Sequence, residues 1–276
     1  MTTPPTTGFP GAPPVVAGAL WVVDLDGVVW LAGAPIGPVG EAIHRLRARG
    51  VTLVFATNNS APTAVELAAR LARAGVTASP DEIVSSAQAV GTLLPAGSTV
   101  LVAADAGVAE AVAAAGARRV DEGPADVVVV GWTRQFDFDL VARAADAIRR
   151  GARFIATNLD PTHPTPGGLL PGTGALVAAV ATAAGTAPEV AGKPHAPMAS
   201  LLRSRMAALP PGAPVVVVGD QLATDGALAA ALEAPFALVA SGVSSADATD
   251  GQIPVAWRSV DLVSLVEEAL RGDPAG

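Results

Sequence analysis

The chain has 276 residues, 51% of them apolar, a mean hydropathy of +0.47 and a formal net charge of −8. That is material for one large domain or two modest ones, and Gly, Pro or charge interrupts every apolar run before the about 20 residues a membrane helix needs. The absence of cysteine excludes a disulfide framework and a thiolate zinc site, and an acidic chain without a Lys/Arg stripe disfavours nucleic acid or an anionic membrane as partner.

The first 17 residues read as a disordered Pro/Thr/Gly tail, with no basic segment and long apolar run of a secretory signal. A cytoplasmic protein is therefore expected. Leu20–Trp30, LWVVDLDGVVW, then runs a short apolar stretch into Asp24-Leu25-Asp26-Gly27. Such a run predicts a buried strand of a parallel sheet. Two carboxylates at its end predict a strand that stops at a crevice, since burying unpaired charge is costly and ligands bind at the carboxyl edge of open α/β sheets. An ordinary Asp-Gly turn is the alternative on local grounds.

Pro38–Arg49 predicts a helix, with apolar Val39, Ala42, Ile43 and Leu46 on one face and Gly50 past its end. Val51–Ala56 is a second buried-type strand, ending in Thr57-Asn58-Asn59-Ser60. A helix over Pro62–Ala74 follows, and Ser79-Pro80-Asp81-Glu82 signals the start of another. Strands alternating with helices imply a parallel sheet with right-handed crossovers.

From about Gly91 to Gly185 the alternation continues: strands at Thr99–Ala103, Asp126–Gly131 and Arg153–Thr157, helices at Gly107–Ala115, Asp139–Arg150 and Gly174–Ala184. This segment either extends one large sheet or forms an inserted α/β domain. Asp160–Gly174 reads as a long, functional or mobile loop. After Gly192-Lys193-Pro194-His195 come a helix over Pro197–Ala208 and a strand at Pro214–Val218 that ends in Gly219-Asp220, with Thr224-Asp225 beyond. A helix, the strand Phe236–Ala240 and the helix Leu262–Arg271 close the chain.

Three strands thus end in polar chemistry, and parallel strands place such ends on one edge. Four carboxylates gathered there need a cation, and an oxygen-only donor set suits Mg²⁺. Asp220 also reads as a cap of the following helix, and Thr57-Asn58-Asn59 either as an anion site or as a capping cluster around Ser60. Lys193 is the only lysine. Between Gly and Pro it is poorly placed as a helix-face charge and suits a phosphate or phosphorylated carboxylate.

Asp24-Leu25-Asp26-Gly27-Val28-Val29-Trp30, Thr57-Asn58-Asn59-Ser60, Gly192-Lys193-Pro194 and Gly219-Asp220 with Thr224-Asp225 resemble, in order, the four motifs of haloacid dehalogenase superfamily phosphatases. The Thr-Asn-Asn-Ser and Gly-Lys-Pro forms, the long insert, Asn158-Leu159-Asp160 and Pro171-Gly172-Thr173-Gly174 resemble the class IIA branch of NagD-like, para-nitrophenylphosphatase, phosphoglycolate and glycerol-phosphate phosphatases. The resemblance implies an α/β fold: a Rossmann-like parallel-sheet core over residues 18–88 and 189–276, with an inserted α/β cap domain over 89–188 that selects the substrate.

It implies Asp24 as nucleophile, Asp26 as acid and then base, and Mg²⁺ held by Asp24, the Asp26 carbonyl and Asp220, with Asp225 behind them. Thr57, Asn58 and Asn59 would bind phosphoryl oxygens, and Lys193 would neutralise charge on Asp24 and the transferring group. Asn158, Asp160 and His163 are candidates for cap contacts. Dehalogenase members lack the second aspartate, so Asp26 argues for phosphate over halide. The expected activity is a Mg²⁺-dependent phosphatase of a small phosphorylated metabolite, first glycerol 3-phosphate, then 2-phosphoglycolate or an aryl phosphate. A homodimer through the cap is expected by the same resemblance. A receiver-like phosphate-binding module is the alternative, and the chain is about twice too long for one.

Overall fold

The computed structural model describes residues 11–272. These divide into two compact units: 11–56, Arg70–Ala78 and 202–272 form the first, and Thr57–Ala69 with Ser79–Leu201 the second. The division falls elsewhere than at residues 88 and 189 because the turn after Ala56 bonds into the inserted segment. Ser60 Oγ donates to Thr157 Oγ1 at 3.0 Å and Ala64 N to Glu110 Oε2 at 3.1 Å.

In the first unit, parallel strands lie in the order Trp257–Ser259, Phe236–Val239, Val215–Gly219, Leu20–Val23 and Thr52–Thr57. The chain leaves Leu20–Val23 for Thr52–Thr57 on one side, and later fills the other side with Val215–Gly219. That makes Leu20–Val23 the switch point of the sheet, and ligands of open α/β sheets bind beyond the carboxyl end at such a point. All four residues of this strand are at most 1% exposed, so its sequence is continuously apolar rather than alternating. Trp21 is fully buried and its indole N–H still finds a partner, donating to Pro14 O at 3.0 Å. The helices Val39–Ala48 and Leu262–Arg271 pack on each other, burying Val39, Ala42, Ile43 and Leu46 from one and Leu262, Leu265, Val266 and Ala269 from the other. Both sets repeat at three- and four-residue spacing, the stripe an amphipathic helix turns to a core.

Of the expected tail, residues 1–10 lie outside the described residues. Residues 11–17 are attached: Val15 is 3% exposed, and the Trp257 indole donates to Gly11 O at 2.9 Å.

In the second unit the parallel order is Glu189–Val190, Arg153–Ala156, Val127–Val130, Thr99–Ala103 and Arg118–Val120. The helices Phe138–Arg149 and Thr173–Ala184 pack together over a core that includes Val128, Val130, Ile148, Phe154 and Val180. The inserted segment therefore owns a sheet and a core, which resolves the choice between one extended sheet and a second α/β unit.

Two expected elements differ. Ser79 begins only a single 3₁₀ turn, Pro80–Glu82, after which Ile83–Ser85 is a buried strand and Ser86–Gly91 the helix. Two β-branched residues that must be buried override the capping signal. The expected loop Asp160–Gly174 contains an antiparallel hairpin, Thr162–Thr165 with Gly168–Pro171, closed by Pro166-Gly167. Its prolines signalled a break, yet proline is tolerated on exposed edge strands of this kind.

Candidate active site

The register builds the first part of the site. Val23 pairs with Val218 on one side and Phe55 on the other. Asp24 therefore emerges abreast of Gly219, with Asp220 one residue further on its strand. Asp24 N donates to Val218 O at 3.0 Å, so the ladder continues up to the residue that carries the carboxylate.

Asp24, Asp220 and Asp225 are 7%, 1% and 1% exposed, and each offers a carboxylate oxygen within 4.8 Å of the others. The local backbone shapes that cluster. Gly27, at φ +85°, turns the chain after Asp26, and its carbonyl accepts from Ser241 Oγ at 2.7 Å. Val243 N donates to Asp220 Oδ2 at 2.7 Å, and a Cβ at Gly242 would lie 1.9 Å from that oxygen. A Cβ at Gly219 would lie 2.2 Å from the Asp225 side chain. Asp225 stands on a π-helical turn, Leu222–Gly226, a rare geometry that recurs at functional sites. Gln221 N donates to Asp225 Oδ2 at 3.2 Å.

Three buried carboxylates this close repel one another, and a cation among them removes that cost. Oxygen donors around an octahedral Mg²⁺ stand about 2.1 Å from the ion, hence up to roughly 4.2 Å apart, close to the spread found here. The donor set fits a hard divalent ion. The Asp26 side chain lies outside this trio, and the Trp30 indole donates to its Oδ1 at 3.0 Å.

The second part is a hydrogen-bond network around Asn58. Asn58 Oδ1 accepts from Lys193 N at 2.8 Å, while its Nδ2 lies 3.3 Å from Lys193 O and 3.2 and 3.3 Å from the two Asp160 carboxylate oxygens. Asn58 O accepts from Ser86 Oγ and from Asn158 Nδ2, both at 2.7 Å, and Asp160 N donates to Asn158 Oδ1 at 3.0 Å. Thr57 Oγ1 accepts from Asn59 N at 3.0 Å, and Asn59 Oδ1 accepts from Ala61 N at 3.2 Å. The structure thus gathers Asn58, Asn158, Asp160 and Lys193, and it occupies the side chains of both asparagines in the turn with protein partners. Ser86 belongs to this network and carries no motif signal, because a serine at a helix start looks structural. The His163 ring lies tilted against Trp132, centroids 5.1 Å apart at 46°, and the Trp132 indole donates to Pro171 O at 3.1 Å. This pair pins the hairpin.

The family model for haloacid dehalogenase-like hydrolases matches residues 21–118, and a second, HAD-hydrolase-like model matches 190–264. The chain is 41% identical over 234 residues to the D-glycerol 3-phosphate phosphatase of Mycobacterium tuberculosis, covering 82% of this chain and 64% of that protein. It is 34% identical over 230 residues to the dihydroxyacetone phosphatase of Corynebacterium glutamicum, covering 81% and 82% respectively. A crystal structure of the glycerol phosphate phosphatase from Mycobacterium tuberculosis in complex with magnesium superposes with a TM-score of 0.83 at 36% identity, covering 91% of this chain and 77% of that one. The chain spans just under two thirds of the length of the first of these relatives. No helix among the described residues is long and apolar enough to cross a membrane. With two family models matched along its length and more than two thirds of a relative covered at 34% identity, the chain belongs to the haloacid dehalogenase-like hydrolases.

Proposed function

We propose that this chain is a Mg²⁺-dependent phosphatase that hydrolyses a small phosphomonoester through an aspartyl-phosphate, with glycerol 3-phosphate as the first substrate. The observation that carries the reading is the buried trio formed by Asp24 and Asp220, just past the ends of adjacent strands, and Asp225 on the π-helical turn that follows, with a further carboxylate, Asp26, two residues from Asp24. The relatives' names, two phosphatases of three-carbon phosphates and one structure with magnesium, support it.

Asp24, the Asp26 backbone carbonyl and Asp220 would hold the metal, with Asp225 behind them. Bound there, Mg²⁺ supplies charge neutralisation for the transferring phosphoryl group. An Asp24 oxygen attacks phosphorus as the bond to the alkoxide oxygen breaks, and Asp26 gives its proton to that alkoxide. Asp26, now a carboxylate, takes a proton from the water that attacks phosphorus and breaks the acyl-phosphate bond. Phosphate leaves, and both aspartates return to their starting forms. The Trp30 indole orients Asp26 for both transfers. Thr57 accepts from Asn59 N–H and keeps its own hydrogen to donate to a phosphoryl oxygen, and Lys193 supplies a compact cation for the same group. The second unit selects the substrate, and the setting proposed is the cytoplasm.

Phosphate release from glycerol 3-phosphate, dihydroxyacetone phosphate, 2-phosphoglycolate and para-nitrophenyl phosphate, with Mg²⁺ and with EDTA, tests this. Turnover that requires Mg²⁺ and favours a three-carbon phosphate is expected. A folded protein inactive on all four in Mg²⁺ contradicts it.

A further inference from the structure

We propose that the Asn58 side chain positions Lys193 and is not a ligand of the substrate, an inference that rests on the phosphatase reading for its kinetic consequence. Lys193 lies between the strand Glu189–Val190 and the helix Ala196–Met206, in a segment with no regular structure to fix its backbone. Asn58 meets that need. Its Oδ1 accepts the Lys193 N–H at 2.8 Å and its Nδ2 faces the Lys193 carbonyl at 3.3 Å, so one carboxamide grips both polar groups of one residue. A backbone N–H only donates and a carbonyl only accepts, so this pairing sets which way the carboxamide points.

The grip is itself anchored. The Asn58 backbone carbonyl holds Ser86 Oγ and Asn158 Nδ2, both at 2.7 Å, and Ser86 and Asn158 are 0% and 3% exposed. The amide N–H groups also lie against both Asp160 oxygens, at 3.2 and 3.3 Å. An asparagine has one carbonyl oxygen and two N–H bonds, and here every one is directed at Lys193 or Asp160. Nothing of this buried side chain is left over for a phosphoryl group. The influence of the carboxamide on the reaction must pass through the placement of Lys193.

Because Lys193 is the only lysine, protein grown on [13Cε]lysine gives one side-chain resonance, and that provides a readout free of activity. In the wild type the two ε-methylene protons are expected at distinct shifts, and in Asn58→Ala they collapse toward the single shift of a mobile lysine. The kinetic arm compares Asn58→Ala, Lys193→Ala and the double variant on glycerol 3-phosphate. Asn58→Ala is expected to lower kcat on the order of 100-fold with KM little changed, the scale of about a 1 Å misplacement. The double variant is expected within threefold of Lys193→Ala alone, since a residue acting through Lys193 has nothing left to act on.

An unchanged ε-methylene signal in Asn58→Ala overturns the proposal. So does a raised KM at unchanged kcat, or losses that multiply in the double variant. Should Asn58→Ala lose its cooperative melt, Asn58→Asp alone and paired with Asp160→Asn replace it. The single change sets two carboxylates together and lowers kcat, and the pair restores at least fivefold of it; no recovery counts against the proposal. A wild type that turns over no phosphate ester removes the phosphatase reading, and the lysine resonance still decides the Asn58–Lys193 coupling.

Discussion

The Trp30 indole donates to Asp26 Oδ1 at 3.0 Å, joining the residue that ends the second motif aspartate's turn to the carboxylate proposed to move the proton. The indole is 7% exposed, so water does not compete freely for that bond. Trp30→Phe keeps most of the packing and removes the donor. A hydrogen bond to a charged group contributes about 1.5–3 kcal/mol. kcat is therefore expected to fall about tenfold or more, with Mg²⁺ dependence unchanged, measured as phosphate release over a Mg²⁺ series.

Metal removal should stabilise some variants relative to the wild type. Asp24, Asp220 and Asp225 are buried together, so the metal-free protein carries their mutual repulsion. Asp225→Asn removes one charge, and thermal melts in EDTA are expected to place it above the wild type by roughly 2–4 °C per kcal/mol of relief. Adding Mg²⁺ reverses the order, because the wild type gains binding energy that the variant has lost.

Gly242→Ala tests the shape of the same cluster. Its Cβ would lie 1.9 Å from Asp220 Oδ2, so the carboxylate or the loop must move. Overpacking of this kind costs about 1–3 kcal/mol. Here it should also raise the Mg²⁺ concentration needed for half-maximal activity. A substitution at Gly251, which also has no left-handed φ and has nothing within 4 Å of its Cβ, serves as the control.

Asp126 gives a pH dependence outside the site. Its carboxylate accepts from Thr99 N at 2.7 Å and Thr99 Oγ1 at 2.8 Å, and these bonds, the backbone one first, hold its carboxyl below the ordinary value of 3.8. A depressed folded value contributes stability that is present above the unfolded value and lost as pH falls through the folded one. The Tm difference between wild type and Asp126→Asn should therefore be present at pH 7 and shrink below about pH 4. A difference that persists at pH 2 refutes it.

The parts of the fold legible in the sequence were those where one physical demand dominated. Leu20–Val23 is apolar at every position because both its faces are covered, and two aspartates directly after it mark where cover ends. The helix at Val39–Ala48 follows from its stripe. The hairpin Thr162–Thr165/Gly168–Pro171 was not legible, because it is exposed, short and rich in proline, with Leu169 69% exposed. The strand Arg118–Val120 is too short and polar to give a period. At the site, the residue types at the strand ends pointed to chemistry, whereas the side-chain partners of Asn58, Asp160 and Lys193, lie more than a hundred positions away, which local pattern does not encode.

The central claim is that Asp24 forms a covalent bond to phosphorus. Wild-type protein mixed with 32P-labelled glycerol 3-phosphate and Mg²⁺, then quenched in acid, should carry label that hydroxylamine removes, as an acyl phosphate requires. Asp24→Asn, still folded by its melt, should carry none and release no phosphate. Turnover in the wild type with no labelled protein at any quench time, or label that survives in Asp24→Asn, would contradict the account.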